Sequence, residues 1–100
     1  MDKSNKNNTT ADLNAEIRGL RTAIDEIDEK ILDLINERLL LAERIGRFKK
    51  QGGTQVTDNR REKEIMRRLL KINNGLLRDD GLRKIFSAII VEGRNIQQTS

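Results

Sequence analysis

The chain has 100 residues, of which 35% are hydrophobic and 36% charged, with a net charge of +4. That length and balance suit one domain with a modest core and a heavily charged surface. His, Cys, Pro, Trp and Tyr are all absent and only two Phe are present, so a zinc site, a disulfide framework and a Ser–His or Cys–His nucleophile pair are excluded.

Any chemistry must therefore come from Arg, Lys, carboxylates, amides and hydroxyls. The positive balance favours anionic partners, although acidic residues are interspersed among the basic ones and no single basic block forms. No apolar run reaches transmembrane length, and the N-terminus lacks a signal-peptide h-region. A cytoplasmic location is the expectation.

Residues 1–12, MDKSNKNNTTAD, are polar and carry no apolar period. They read as a disordered tail ending near a cap at Asp12 or Asn14, with the folded domain over residues 13–100. From Ile17 a 3-4 spacing runs through Leu20, Ile24, Ile27, Ile31, Leu34, Arg38, Leu41, Ile45 and Phe48. Nine of these ten positions are apolar, which predicts one long helix ended by Gly52-Gly53. A second helix is expected to start near Asp58, with Ile65, Leu69 and Ile72 as its stripe, and to stop at Asn74-Gly75. A third is expected from about Asp80 to Gln97, with Leu82, Phe86, Ile89, Gly93 and Gln97 on one side. The absence of proline and the scarcity of β-branched runs agree with an all-α fold.

The first helix is too long for a compact monomer. Its roughly 38 residues at ~1.5 Å rise span about 57 Å, against a diameter on the order of 34 Å for a compact chain of this size. Two shorter helices cannot cover such a rod, so a second chain is expected to do so.

Arg38 interrupts the apolar seam. Its neighbours three and four positions away are Leu34, Ile35, Leu41 and Ala42, so it has no acidic partner on its own helix. It is either a register-setting polar residue in a coiled-coil seam or the holder of an anion. Lys49 lies eleven residues on, sharing that face to within about 20° and about 16 Å away along the axis. It either complements the helix macrodipole or joins Arg38 on one anion. Asp58 reads as an N-cap. Glu62 reads either as a capping-box residue answering Asn59 or as the partner of Arg38, with Arg61 beside it. Gln97 is either a chain-end amide facing water or a donor aimed into a pocket.

Taken in order, "LRTAIDEIDEKILDLINERLLLAERIGRFKK", "VTDNRREKEI" and "IFSAIIVEGRNIQ" resemble the three helices of the all-helical chorismate mutases. The resemblance covers roughly residues 16–97. Arg21, Arg38, Lys49, Asp58, Arg61, Glu62 and Gln97 fall where that family places substrate-site residues. It implies an intertwined homodimer that rearranges chorismate to prephenate, with no metal, cofactor, nucleic acid or membrane involved. It also implies that Arg38, and Arg21 from the partner chain, hold the substrate's carboxylates. Lys49 would bond a carboxylate and the ether oxygen, and Gln97 would donate to that same oxygen. Glu62 and the backbone near Asp58 would take the ring hydroxyl, with Arg61 ordering the acidic cluster and Ile45, Ile65 and Ile90 as apolar walls. At Gly93 the chain departs from the family, which often places a serine there to touch a substrate carboxylate. An isochorismate–pyruvate lyase on the same scaffold is the nearest alternative. A basic helical dimer that binds nucleic acid or protein without catalysis is the alternative from another class, and it leaves Arg38 unexplained.

Overall fold

The computed structural model describes residues 9–53 and 58–99. All regular structure among them is helical: α1 runs Thr10–Gln51, α2 Asn59–Ile72 and α3 Asp79–Thr99. This is the all-α, three-helix order that the apolar spacing predicts.

Local chemistry sets each helix end. The Thr9 hydroxyl accepts the Asp12 N–H at 3.1 Å, and the Asp12 carboxylate accepts the Thr9 N–H at 3.2 Å. The cap is therefore Thr9, not Asp12 or Asn14, because a hydroxyl followed three residues later by an acid satisfies two orphan amides reciprocally. Of the tail expected over residues 1–12, residues 1–8 lie outside the described residues, and α1 already begins at Thr10. At the other end of α1, the Gly52 N–H bonds the Phe48 carbonyl at 3.0 Å and the Gly53 N–H bonds that of Lys50 at 3.2 Å. Gly53 sits at φ 70, the left-handed region where a side chain is strained.

Asp58 caps α2 as expected, its carboxylate accepting the Arg61 N–H at 3.0 Å. Between α2 and α3, the Asn73 side chain accepts the Gly75 N–H at 3.2 Å and donates to the Leu77 carbonyl at 2.7 Å. This side-chain turn replaces helix with a tight reversal.

Backbone contacts divide the chain into two units, Met1–Leu34 and Ile35–Ser100. In the first, every described residue is exposed. Its apolar stripe is uncovered, from Ile17 at 43% exposure through Leu20 at 65% to Leu34 at 62%. In the second, Ala42, Ile65, Leu82 and Ile90 are the buried apolar side chains, joined by the buried glycines Gly46 and Gly93. Phe86 and Ile89 are half-buried. The expected stripe of α2 is only partly buried, since Ile65 is covered and Ile72 is 61% exposed.

Within this second unit, the last turns of α1 meet α3 in backbone contact. A Cβ built on Gly46 would stand 2.8 Å from the Gln97 Cα and 2.9 Å from its carbonyl oxygen. Only a residue without a side chain allows that approach. The Lys50 ammonium closes the same end, donating to the Gln98 carbonyl at 3.0 Å, where a cation complements the C-terminal helix dipole. Among the described residues, no helix is long and apolar enough to cross a membrane.

Candidate active site

The helices of the second unit border a half-open cavity of about 280 Å³. From α1 it receives Arg38, Leu41, Ala42 and Ile45, which follow one another at helical spacing on one face. The start of α2 adds Asp58, Arg61, Glu62 and Ile65, and α3 adds Ile90, Gly93, Arg94 and Gln97. Most of the residues expected from the sequence thus meet at one place: Arg38, Asp58, Arg61, Glu62 and Gln97, with Ile45, Ile65 and Ile90 as walls. Lys49 is half-buried one turn beyond Ile45 and does not line the cavity. Arg21 belongs to the exposed helix of the first unit.

The charges in the cavity do not cancel. Three arginines and two carboxylates line it, and most of them are already engaged. Asp58 caps α2 through the Arg61 N–H, while the Arg61 guanidinium bonds Glu64 at 2.9 Å. Glu62 is neither Arg38's partner nor a capping-box residue for Asn59. Its two oxygens instead accept a fork from Arg94, from Nη2 at 2.7 Å and from Nε at 3.1 Å. That hydrogen bond first, and the carboxylate's charge second, raise the Arg94 pKa above its ordinary value. The guanidinium therefore stays protonated throughout the working pH range.

This leaves Arg38. It is half-buried and enters no ion pair among the described residues. Its head group lies against α3, where a Cβ built on Gly93 would stand 3.2 Å from its Nη1. Gly93 gives that guanidinium room beside the helix backbone. A planar cation on an apolar-walled cavity, in no ion pair among the described residues, is arranged to take a carboxylate. The Gln97 amide adds a neutral donor on the same cavity.

Arg94 is the lining residue that the sequence reading does not single out, yet a signal for it exists. It stands four residues after buried Ile90 and three before Gln97, so it falls on the inner stripe of α3. The reasoning that isolates Arg38 on α1 isolates Arg94 on α3.

The sequence model of the family described as chorismate mutase type II matches residues 20–98. Over 80 residues the chain is 39% identical to the chorismate mutase of Methanocaldococcus jannaschii, covering 79% of this chain and 81% of that protein. It is also 39% identical over 79 residues to the bifunctional chorismate mutase/prephenate dehydratase of Aquifex aeolicus. That match covers 75% of this chain, which spans only 22% of the Aquifex protein's length. Among solved structures, the Helicobacter pylori chorismate mutase in complex with prephenate superposes with a TM-score of 0.78 at 26% identity. That likeness covers 85% of this chain and 92% of that one. With the helix order, the cavity and these matches in agreement, the chain belongs to the chorismate mutase type II family.

Proposed function

We propose that this chain is a cytoplasmic chorismate mutase that rearranges chorismate to prephenate in a site shared by two copies of itself. The observation that carries the proposal is Arg38, a half-buried cation in no ion pair among the described residues, on a cavity of small-molecule size. Chorismate and prephenate are both dicarboxylates, and the Helicobacter relative has prephenate bound. In this reading Arg38 takes one carboxylate. Its counter-ion is the substrate.

The reaction breaks the ether C–O bond while a C–C bond forms within the same molecule, so no nucleophile or acid–base pair is required. The protein has to freeze the enolpyruvyl side chain over the ring, a positioning effect. It must also place donors where negative charge appears on the ether oxygen, each typically worth about 3–4 kcal/mol. A millionfold acceleration requires roughly 8 kcal/mol, which positioning and two donors supply.

Gln97 is one donor, held on the cavity by the Gly46 crossing. Lys49 is the other, its long side chain reaching the ether oxygen and a carboxylate from just outside the cavity lining. Glu62 accepts the ring hydroxyl together with the backbone near Asp58. The Asp58 carboxylate itself is used in capping α2, and Arg61 orders this cluster through its backbone N–H to Asp58 and its ion pair with Glu64.

The second carboxylate needs a second cation, and the partner's Arg21 supplies it. Support comes from the first unit, whose apolar stripe from Ile17 to Leu34 is 43–65% exposed. Covering such side chains stabilises by about 1.5–3 kcal/mol each when burial is complete. A second copy of the chain offers the same stripe in return, as a twofold interface requires.

Incubation with chorismate and, separately, with isochorismate tests the activity. Prephenate from chorismate is the expected product. Pyruvate release from isochorismate, with chorismate untouched, would replace the mutase with the lyase.

A further inference from the structure

The Arg94–Glu62 pair joins α3 to α2 across the wall of the cavity. Both residues line that cavity and also a second hollow beside it, where Lys63, Met66, Ser87 and Val91 lie. The pair is half-screened from water, with side-chain exposures of 32% for Arg94 and 23% for Glu62. Its contact is a side-on fork, with one nitrogen on each carboxylate oxygen.

A fork of this kind fixes the plane of a carboxylate as well as its position. An ionised carboxylate has about four acceptor directions, and the fork occupies one on each oxygen. Glu62 keeps acceptor capacity on the cavity it lines. A single ammonium in place of the guanidinium would hold the charge without holding the plane.

We infer that Arg94 is a positioning residue for the reaction: it aims the Glu62 carboxylate at the ring hydroxyl of the substrate. This rests on the proposed mutase activity and adds a residue to it. Arg94 touches Glu62, and its effect on turnover passes through Glu62. The competing account is a brace between α2 and α3 with no bearing on the substrate.

The two accounts separate in a double-mutant cycle on chorismate turnover, with thermal melts recorded for every variant. Arg94→Met is expected to lower kcat/KM by about 10-fold to 100-fold, the range of one hydrogen bond to a charged group. Most of the loss should fall in KM, because the hydroxyl contact is made in both ground and transition states. Arg94→Lys should recover only part of it. In a Glu62→Gln background, Arg94→Met should change kcat/KM by less than about threefold, the coupling expected of residues that act as a unit.

Equal losses in both backgrounds would overturn the inference, because Arg94 would then act independently of Glu62. So would a parental kcat/KM in Arg94→Met. Should Arg94→Met fail to fold, a parental kcat/KM in Arg94→Lys would overturn the inference in its place. A parent that makes no prephenate would overturn the mutase reading and this inference with it, whereas an active parent with an insensitive Arg94 overturns the inference alone.

Discussion

Gly46→Ala tests how the fold positions the chemistry. The new methyl carbon would start 2.8 Å from the Gln97 Cα, and ordinary contact begins at 3.4 Å. The helices must therefore separate locally by about 0.6 Å, and because the obstacle is backbone, no rotamer change relieves it. Overpacking of this kind costs about 1–3 kcal/mol, which for a chain of this size lowers Tm by roughly 5–20 °C. The same shift moves the Gln97 amide from its place on the cavity. Since a 1 Å misplacement costs about 100-fold in rate, a fall in kcat of roughly tenfold or more is expected at temperatures where the variant is folded. Circular-dichroism melts and steady-state chorismate kinetics on the same samples make the measurement. Gly19→Ala is the control, because nothing lies within 4 Å of a Cβ there, and it should melt no lower than the parent. A Gly46→Ala protein that melts and turns over like the parent would refute the reasoning.

Replacing Arg38 by Leu should leave Tm equal or higher, as often happens when a poorly paired buried ion gives way to an apolar residue. It should cut kcat/KM by orders of magnitude, and a variant that unfolds or keeps full activity would contradict the clamp. Gln97→Glu keeps the shape but sets an acceptor-only carboxylate against the ether oxygen. The loss at neutral pH should be about 100-fold or more, with activity recovering as pH falls and that carboxyl is protonated. Matching pH–rate profiles for parent and variant would remove Gln97 from the donor role. Ile24→Glu places a charge on the uncovered stripe of the first unit and should shift the protein toward monomer in sedimentation; an unchanged mass would argue against the proposed interface.

What can be read from the sequence is what depends on near neighbours. The α2 cap at Asp58 and the α1 stop at Gly52-Gly53 follow from residues three or four positions away, and both stand where expected. The start of α1 differs from the expectation because Thr9 and Asp12 act together, and the acid alone resembles a cap. The separation of Arg38 from local acids is likewise a matter of spacing. The Glu62 partner is Arg94, 32 residues on, and no local pattern links them. Gly46 gives no sign in the sequence that another backbone will lie against it. Lys49 shares a helix face with Arg38 to within about 20°, yet a shared face does not settle which side chains line the cavity, and Lys49 does not.

The central claim is one chorismate site built from Arg38 of one copy and Arg21 of another. Arg21→Ala and Arg38→Leu chains should each be nearly inactive alone. Unfolded together and refolded at equal concentration, they form heterodimers in which one of the two sites has both arginines. Twofold pairing then predicts roughly a quarter of the parental chorismate turnover. Heterodimers shown by mass to have formed, with activity no higher than either variant alone, would contradict the account.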